Sequence, residues 1–411
     1  MARYDVSTGA LVLNLGEYPF HQGSLGVIRS LGSVGIPVAE VTRNPFLLPS
    51  GASRYVKRRF VWKPDGRNGE RFVDGMAKIG DKLDRPTVLV PTDDLSAILI
   101  AEHAEALSSK FIFAQPPAQL PRTLANKRSL YELCLQLEIP CPRTVFPASH
   151  AEWADIAGQI RLPVVVKVNE PWSAPKGVKS TTVISDREEL ENYCDHPEGQ
   201  IPATSLMIQE MIPGSTSEDW FVHGYCDRHS NPLAMFTGLK LRSYPVLAGP
   251  TTYGRAVHNE YLKQETAKLL KTIGYWGMID LDYRLDTRTG RYNLIDFNPR
   301  LGAQFRLFQA VDGIDVVRAL HLDLTGRTAQ AGPQIEGRTF MAEIHDLLSS
   351  RAHYRSGALT IKDWWHSLRE TDETAWYTRD DPLPFILMCL YMSFRAMTRT
   401  RLAKALGGRP K

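Results

Sequence analysis

The sequence predicts an α/β protein, with an open and mostly parallel sheet near the N-terminus followed by a larger α+β part. Three observations support this fold class. Apolar runs at 10–15, 37–41 and 87–91 alternate with helical patterns, which is typical of βαβ units. An alternating hairpin pattern occupies 277–297. The chain has 411 residues, too many for one hydrophobic core, so two or three domains are expected.

Composition narrows the class of protein. Hydrophobic residues make up 43% and charged residues 23% of the chain, and the formal net charge is +4. These values are ordinary for a globular enzyme and give no reason to expect nucleic acid as a partner. The five cysteines form no CxxC pair, which favours a reducing compartment over a disulfide framework. The first residues lack a signal-peptide pattern, and no apolar run reaches about 18 residues. A cytoplasmic protein is therefore expected.

The N-terminal α/β domain is predicted to span 1–118. Its first strand, ALVLNL, leads into a loop with scattered glycines and then into a helical pattern at 27–35. The helix predicted at 93–107 has Asp93 or Asp94 as its cap. The loop after the first strand lies where such sheets bind ligands, but it is not a GxGxxG fingerprint.

PPAQLP, at 116–121, is interpreted as a linker to a second domain at 119–330. Its predicted elements include a helix in ANKRSLYELCLQLEI and strands in LPVVVKV, TTVI and SLMIQEMIPG. These strands form a predicted lid lobe at about 140–210. A helix at 260–274, the hairpin and a helix in VDGIDVVRALHLDLTG complete the pattern.

The hairpin carries the strongest chemical signal. Asp282 precedes Asp296 by fourteen residues with a glycine turn between them, so the two carboxylates can face each other across paired strands. Asp280 shares the face of Asp282, and Asn298 and Arg300 continue the alternation after Asp296. Such oxygen ligands suit Mg²⁺, and the guanidinium suits phosphate. The alternative is a structural ion-pair network of Asp280, Asp282 and Arg300.

Three further segments supply groups suited to a nucleotide. Lys167 ends an apolar strand, where a lysine needs an anionic partner, and the loop after it contains Lys176, Lys179 and Ser180. Lys127 begins its helix, although a solvated surface lysine is the alternative. In QEMIPG, at 209–214, backbone groups at a strand end can contact an adenine, with Glu218 or Asp219 on the ribose. An ordinary strand end is the alternative there.

In this order, ANKRSL with PCPRTV, PVVVKV, MIQEMIPG, GMIDLDY and LIDFNPRLGAQFR resemble the ATP-grasp superfamily of carboxylate–amine ligases. Within it, the last motif is most similar to the branch with D-aspartate ligase-like enzymes. The resemblance covers about 10–330 and implies ATP held with Mg²⁺ or Mn²⁺ between two lobes. Two departures stand out: Asp296 replaces a common glutamate, and the lid loop has few glycines.

The resemblance also implies roles for individual residues. Metal ligands are Asp282, Asp296 and Asn298, and catalytic residues are Arg300 and Lys167. Nucleotide-contacting residues are Lys127, Lys167, Lys176, Lys179, Ser180, Gln209, Glu210, Ile212 and Glu218. The implied activity is ligation of a small-molecule carboxylate, such as an amino acid, to an amine through an acyl phosphate. A different acceptor nucleophile, or a non-catalytic nucleotide-binding regulator, is the alternative.

Residues that select the substrate are predicted less directly. The candidates are Lys240, Arg242, Gln304, Arg306 and His21, for each of which a surface or packing role is an equal alternative. Residues 331–411 form a C-terminal extension with a short apolar helix and a basic tail. Packing of this helix on the protein is favoured, and a peripheral membrane contact is the alternative. The sequence leaves the oligomeric state open, including a homodimer.

Overall fold

The computed structural model describes residues 3–16, 20–43, 48–63, 68–175, 178–193, 201–246 and 249–405. Four parallel strands form its first sheet, in the order β3-β2-β1-β4. The strands are β1 (Gly9–Leu13), β2 (Val38–Thr42), β3 (Val56–Val61) and β4 (Thr87–Pro91). The helices of this region are α1 (Gln22–Gly32), α2 (Gly69–Gly80), α3 (Asp94–Glu102) and α4 (Ala104–Leu107).

Apolar side chains cover both faces of this sheet, as expected for parallel strands. Leu11 and Leu13 pack with Phe72 of α2, while Val12 packs in a second cluster with Leu25 of α1. The predicted α/β sheet is therefore confirmed. The helix predicted at 93–107 is divided into α3 and α4, and Asp93 is the cap, with its side chain accepting from Ser96 N–H.

A small antiparallel sheet, called the lid sheet below, lies within the range predicted for the lid lobe. Its order is β5-β8-β6-β7, and all three pairings are antiparallel. The elements are β5 (Thr144–Val145), α7 (Trp153–Gln159), β6 (Val164–Val168), β7 (Thr181–Ile184), α8 (Arg187–Glu191) and β8 (Leu206–Glu210). Trp153 and Val166 lie in one buried cluster with Leu190, which seats α7 and α8 on the sheet.

The largest sheet has seven strands in the order β13-β12-β9-β10-β11-β14-β15. These are β9 (Asp219–Cys226), β10 (Pro232–Ser243), β11 (Thr251–Ala256), β12 (Gly277–Asp286), β13 (Arg291–Asn298), β14 (Thr339–Met341) and β15 (Glu373–Thr374). The helices packed against it include α5 (Leu120–Ala125), α6 (Lys127–Gln136), α9 (Glu260–Ile273) and α10 (Val316–Leu324). Because α5 begins at Leu120, the predicted linker is partly helical.

The C-terminal region adds α11 (Glu343–Arg355), α12 (Ile361–Arg369) and α13 (Leu383–Ala405). With 23 residues, α13 is longer than the short helix predicted, and it extends into the basic segment. The final tail residues Arg409 and Lys411 lie outside the described residues. Within the described part, no helix combines the length and apolarity needed to cross a bilayer. Arg29 of α1 forms a buried ion pair with Asp381, which ties this region to the first sheet.

Candidate active site

The hairpin of β12 and β13 pairs in the register that its spacing predicts. Asp282 is directly opposite Asp296, and Asp280 is directly opposite Asn298. A register shift follows Asp282, because Tyr283 pairs with Leu294 and leaves one extra residue on β13. Such a bulge bends the strand locally. The backbone pairing thus places three carboxylates and one amide at one end of the hairpin.

These side chains line a cleft with a volume of about 400 Å³. Its walls also come from the lid sheet, through β6, β7 and β8, and from the segments after β8 and β13. The predicted residues that line it are Lys127, Lys167, Ser180, Gln209, Glu210, Ile212, Lys240, Asp282, Asp296, Asn298, Arg300 and Gln304. Lys127 and Gln304 are 177 positions apart in the sequence, and the fold brings them into one concave site.

Two lysines supply positive charge close to Asp296. Lys127, at the start of α6, is only 7% exposed and forms an ion pair with Asp296. Its burial excludes the surface-lysine alternative. Lys167 donates to Gln209 Oε1 at 3.1 Å, and burial lowers its pKa to about 8 against the opposing field of Asp296. Burial alone would raise the pKa of Asp296, but Lys127 and Lys167 hold it below its usual value.

The surroundings of Asp282 favour its charged form less than those of Asp296 do. Burial raises its pKa, Lys240 at 3.4 Å opposes this, and the neighbouring Asp280 and Asp296 raise it further. A divalent cation relieves such crowding of carboxylates, so the donor set fits Mg²⁺. The described residues include no group of three or more His, Cys, Asp or Glu arranged for a metal. The candidate metal ligands are instead two carboxylates, Asp282 and Asp296, and the Asn298 amide. So few protein ligands suit an ion that completes its coordination shell with water and phosphate oxygens.

Arg300 is held by carboxylates from two parts of the chain. Its Nε donates to Asp94 of α3 at 3.1 Å, and its Nη1 donates to Asp280 at 2.8 Å. Burial opposes its charge, but Asp94 and Asp280 raise its pKa above the usual value. Asp280 is also 3.0 Å from Nε2 of the buried His223. Despite burial, His223 and Arg300 lower the pKa of Asp280 to about 2.

The segment after β8 offers backbone groups to the cleft. The Glu210 side chain accepts from Arg143 and from the Arg161 N–H, both at 3.2 Å, and so points to the lid sheet. The Ile212 carbonyl accepts from Arg284 Nε at 2.7 Å. The Ile212 N–H has no hydrogen-bond partner among the described residues. A donor is therefore available beside the predicted adenine position.

Several predicted residues lie elsewhere. Arg242 does not line the cleft, because it forms a buried ion pair with Asp346. Arg306 pairs with Glu373 and lines a different cavity. His21 caps α1, where Nδ1 accepts from the Ser24 N–H, and burial together with Arg300 lowers its pKa to about 3.

The predicted ribose-binding acid is also displaced. Glu218 accepts from the hydroxyls of Ser215 and Ser217 and is absent from the cleft wall. Asp219, the next residue, lines the cleft and is paired with Arg284. In the lid loop, Lys179 does not line the cleft, although Ser180 does. Lys176 lies outside the described residues.

Sequence reasoning missed two residues that shape the site. The sequence predicts Asp94 only as a possible helix cap, yet its carboxylate accepts from Arg300. His223 lies in the strand WFVHGY among apolar residues, and its Nε2 lies 3.2 Å from Gln304 Nε2 as well as near Asp280. The signal for His223 is its position within a continuous apolar strand, since a buried histidine needs a polar partner. Asp94 gives no such signal, because its partner lies 206 residues away.

Comparison with known proteins gives a consistent set of similarities. The family model for the carbamoyl-phosphate synthase L chain ATP-binding domain matches residues 246–324. D-aspartate ligase of Enterococcus faecium (strain Aus0004) is 25% identical over 315 residues, which cover 71% of this chain and 72% of that protein.

Two solved structures are similar in fold. The L-amino acid ligase from Bacillus licheniformis has a TM-score of 0.57 and 14% identity, covering 82% of this chain and 79% of its own. The biotin carboxylase domain dimer of Hydrogenobacter thermophilus 2-oxoglutarate carboxylase, solved with MgADP, ADP and bicarbonate, has a TM-score of 0.57 and 17% identity. That match covers 82% of this chain and 73% of the other. The predicted fold class and superfamily resemblance are confirmed.

Proposed function

We propose that this chain, an ATP-dependent ligase of the ATP-grasp superfamily, joins the carboxylate of one small molecule to the amine of another through an acyl phosphate. The observation that carries the proposal is the paired register of Asp282 with Asp296 in a cleft that also contains Lys127 and Lys167. Oxygen donors for a metal and cations for phosphates lie side by side there. In this proposal, residues 119–330 form the catalytic unit.

ATP is proposed to lie between the lid sheet and the seven-stranded sheet. The free N–H of Ile212 supports an adenine at the end of β8. Asp219, which lines the cleft, is better placed than Glu218 for the ribose hydroxyls. Lys127, Lys167 and Arg300 then face the phosphates, where each cation stabilises the negative charge of the oxygens.

Asp282, Asp296 and Asn298 are proposed to hold Mg²⁺ or Mn²⁺. Lys127 pairs with Asp296 and Lys240 lies 3.4 Å from Asp282, so each proposed carboxylate ligand has beside it a cation that a metal could replace. A divalent ion held by these residues would supply positive charge to neutralise the phosphates. Asp296, shorter than glutamate by one methylene, still faces Asp282 across the hairpin.

The chemistry needs positioning more than a nucleophilic side chain. A carboxylate oxygen of the first substrate attacks the γ-phosphorus of ATP, the bond to ADP breaks, and an acyl phosphate forms. The amine of the second substrate then attacks the acyl carbon, and phosphate leaves. Lys167 and Arg300 stabilise the charge on the transferred phosphoryl oxygens. Closure of the lid sheet would keep water from the acyl phosphate.

Amino acids are the first substrates to test. One relative is a D-aspartate ligase and one structural neighbour is an L-amino acid ligase, so both enantiomers belong in the panel. Lys240 and Gln304 are the predicted substrate residues that remain in the cleft. An ammonium and an amide at this position suit a carboxylate group.

The test is release of ADP and phosphate by the full chain with Mg-ATP across pairs of carboxylates and amines. We expect release that requires one member of each class. Asp296→Asn removes a proposed metal ligand and abolishes release. Asp286→Asn is the matched control, because Asp286 lies on β12, the other strand of the same hairpin, but pairs with Arg288 outside the cleft. Equal release by the wild type and Asp296→Asn would contradict the proposal, as would release that needs no carboxylate.

A further inference from the structure

A second cavity, of about 90 Å³, lies between α1, the segment after β13 and the segment around β15. It is lined by four arginines and three acids, together with hydroxyl-bearing and other residues. The arginines are Arg29, Arg306, Arg318 and Arg338, and the acids are Asp315, Glu373 and Asp380. None of these residues belongs to the ATP cleft described above.

Arg29 has a buried donor without a partner. Its side chain is 3% exposed, and its Nε and Nη2 donate to Asp381 and to the Trp376 carbonyl. Its Nη1 is buried and makes no hydrogen bond among the described residues. Burial lowers the pKa of Arg29, Asp381 opposes this, and Arg306 lowers it further. A buried cationic donor without an acceptor, in the field of a second arginine, is costly until an acceptor is supplied.

Arg306 supplies further donors. Its Nε donates to Glu373 at 2.7 Å, while its terminal nitrogens have no hydrogen-bond partner among the described residues. Arg338 donates to the other oxygen of Glu373 at 2.9 Å, so that carboxylate is shared by two arginines.

The other acids of the cavity are already engaged. Asp315 caps α10 by accepting from the Val317 and Arg318 N–H groups. Asp380 accepts from the hydroxyls of Tyr55 and Thr378. Among the described residues, the acids of the cavity therefore supply no acceptor for Arg29 Nη1 or for the terminal nitrogens of Arg306.

We propose that this cavity binds a small oxyanion, a phosphate or a compact carboxylate, between the guanidinium groups of Arg29 and Arg306. Guanidinium forks bind both kinds of oxyanion through charge-assisted hydrogen bonds. The volume is less than a quarter of that of the cleft, which suits a small anion such as a phosphate or a short dicarboxylate.

The anion would join two parts of the molecule. Arg29 belongs to α1 of the first sheet region, whereas Arg306 follows the cleft-lining Gln304 by two residues. The two regions already touch here, since a side chain at Gly26 would meet Phe305 and Arg306. An occupant of the cavity therefore stabilises the junction next to the cleft floor. This inference does not depend on the proposed ligase activity.

Thermal unfolding of the full chain tests the site with inorganic phosphate and with malonate, each against chloride at equal ionic strength. We expect at least one probe to raise the Tm in a saturable way. Arg306→Gln should increase the half-saturating concentration at least tenfold, and Arg306→Lys should recover part of the effect. Phosphate acting alone would identify a phosphate site, and malonate acting alone a carboxylate site.

Because phosphate also fits the ATP cleft, Lys167→Gln is the control for the location. Its Tm shift with the effective probe should match that of the wild type. The inference is overturned if neither probe acts beyond chloride, if Arg306→Gln keeps the full response, or if Lys167→Gln loses it. Arg29→Gln provides a second variant, but its buried ion pair makes Arg306→Gln the primary test.

Discussion

Lys240 and Arg242 lie two residues apart on β10, but the Lys240 side chain borders the cleft and the Arg242 side chain is in the protein core. Lys240 lines the cleft, is 15% exposed and faces Asp282 at 3.4 Å. Arg242 is 7% exposed and donates to both oxygens of Asp346, at 2.7 and 2.9 Å. A register shift against β11 between the two residues breaks the alternation that would put them on one face.

The two ion pairs differ in how completely the hydrogen-bonding groups around them are paired. Asp346 is fully buried and also accepts from Thr252 and Trp364, each at 3.2 Å, and the Tyr253 ring lies 4.1 Å from the Arg242 guanidinium. This network is saturated. In the cleft, Lys240 and Asp282 have a longer contact and more exposure, which leaves both groups able to exchange partners. A binding site needs that freedom, whereas a core needs saturation.

The largest effect is expected from Asp296→Asn in the cleft. Loss of the carboxylate removes a proposed metal ligand and the partner of Lys127, so ATP-dependent turnover should fall by roughly 10³-fold or more. The unfolding free energy should change little by comparison, because the side chain borders the cleft. Turnover and urea unfolding, measured on the same variant, check the two expectations. A folded variant with normal turnover would contradict the distinction between the charges of the cleft and those of the core.

Arg242→Met should act on stability instead. It leaves Asp346 buried without its cation, which costs about 3–5 kcal/mol of unfolding free energy. Urea unfolding measures this loss. The double variant Arg242→Met/Asp346→Leu removes both charges and should recover most of it. If the single variant is as stable as the wild type, the saturated network is not what holds this region together.

Glu40 extends the comparison to a buried charge with few partners. Burial raises its pKa to about 7, with Ser50 and Arg59 opposing. Between about pH 4.5 and 7, Glu40 therefore keeps its proton in the folded protein but has lost it in the unfolded chain. The contribution of Glu40 to stability is present below this window and is lost as the pH rises through it.

Glu40→Gln should flatten this loss and stabilise the protein at pH 8 by roughly 2 kcal/mol. Urea unfolding of the wild type and the variant at pH 5, 6, 7 and 8 gives the comparison. Parallel stability curves for the two proteins would show that Glu40 does not titrate in this range.

Lys240→Met should have the smallest effect. Its partly exposed contact contributes less than about 1 kcal/mol to stability, so urea unfolding should be nearly unchanged. Loss of one charge-assisted contact in the cleft should still lower kcat/KM roughly tenfold. A loss of stability like that of Arg242→Met would erase the distinction between the two neighbours.

Regular elements were predictable where local pattern and spacing determine geometry. The fourteen residues from Asp282 to Asp296, centred on a turn glycine, gave the observed pairing because an antiparallel hairpin fixes register from its turn. Strand β3 and helix α2 were not predicted. As VKRRFV, β3 lies at the sheet edge, where charged residues are tolerated and the apolar pattern disappears.

The side-chain partners were harder to predict, because they come from distant segments. Nothing near Arg242 signals the β-bulge or the Asp346 of α11 that together take it out of the cleft. Arg306 likewise follows the metal motif closely in sequence, but the turn at Phe305–Leu307 directs it to Glu373. The sequence pattern therefore predicted the residues of the cleft floor better than the residues proposed to select the substrate.

The most direct test of the central claim follows an oxygen atom. The full chain would be incubated with Mg-ATP, the amine panel and a pool of carboxylates labelled with ¹⁸O, and the released phosphate analysed by mass spectrometry. Ligation through an acyl phosphate predicts one ¹⁸O atom in each phosphate, transferred from the carboxylate. Release of unlabelled phosphate in ordinary water, with ADP formed at the same rate, would show that ATP is hydrolysed without activating a carboxylate and would contradict the account.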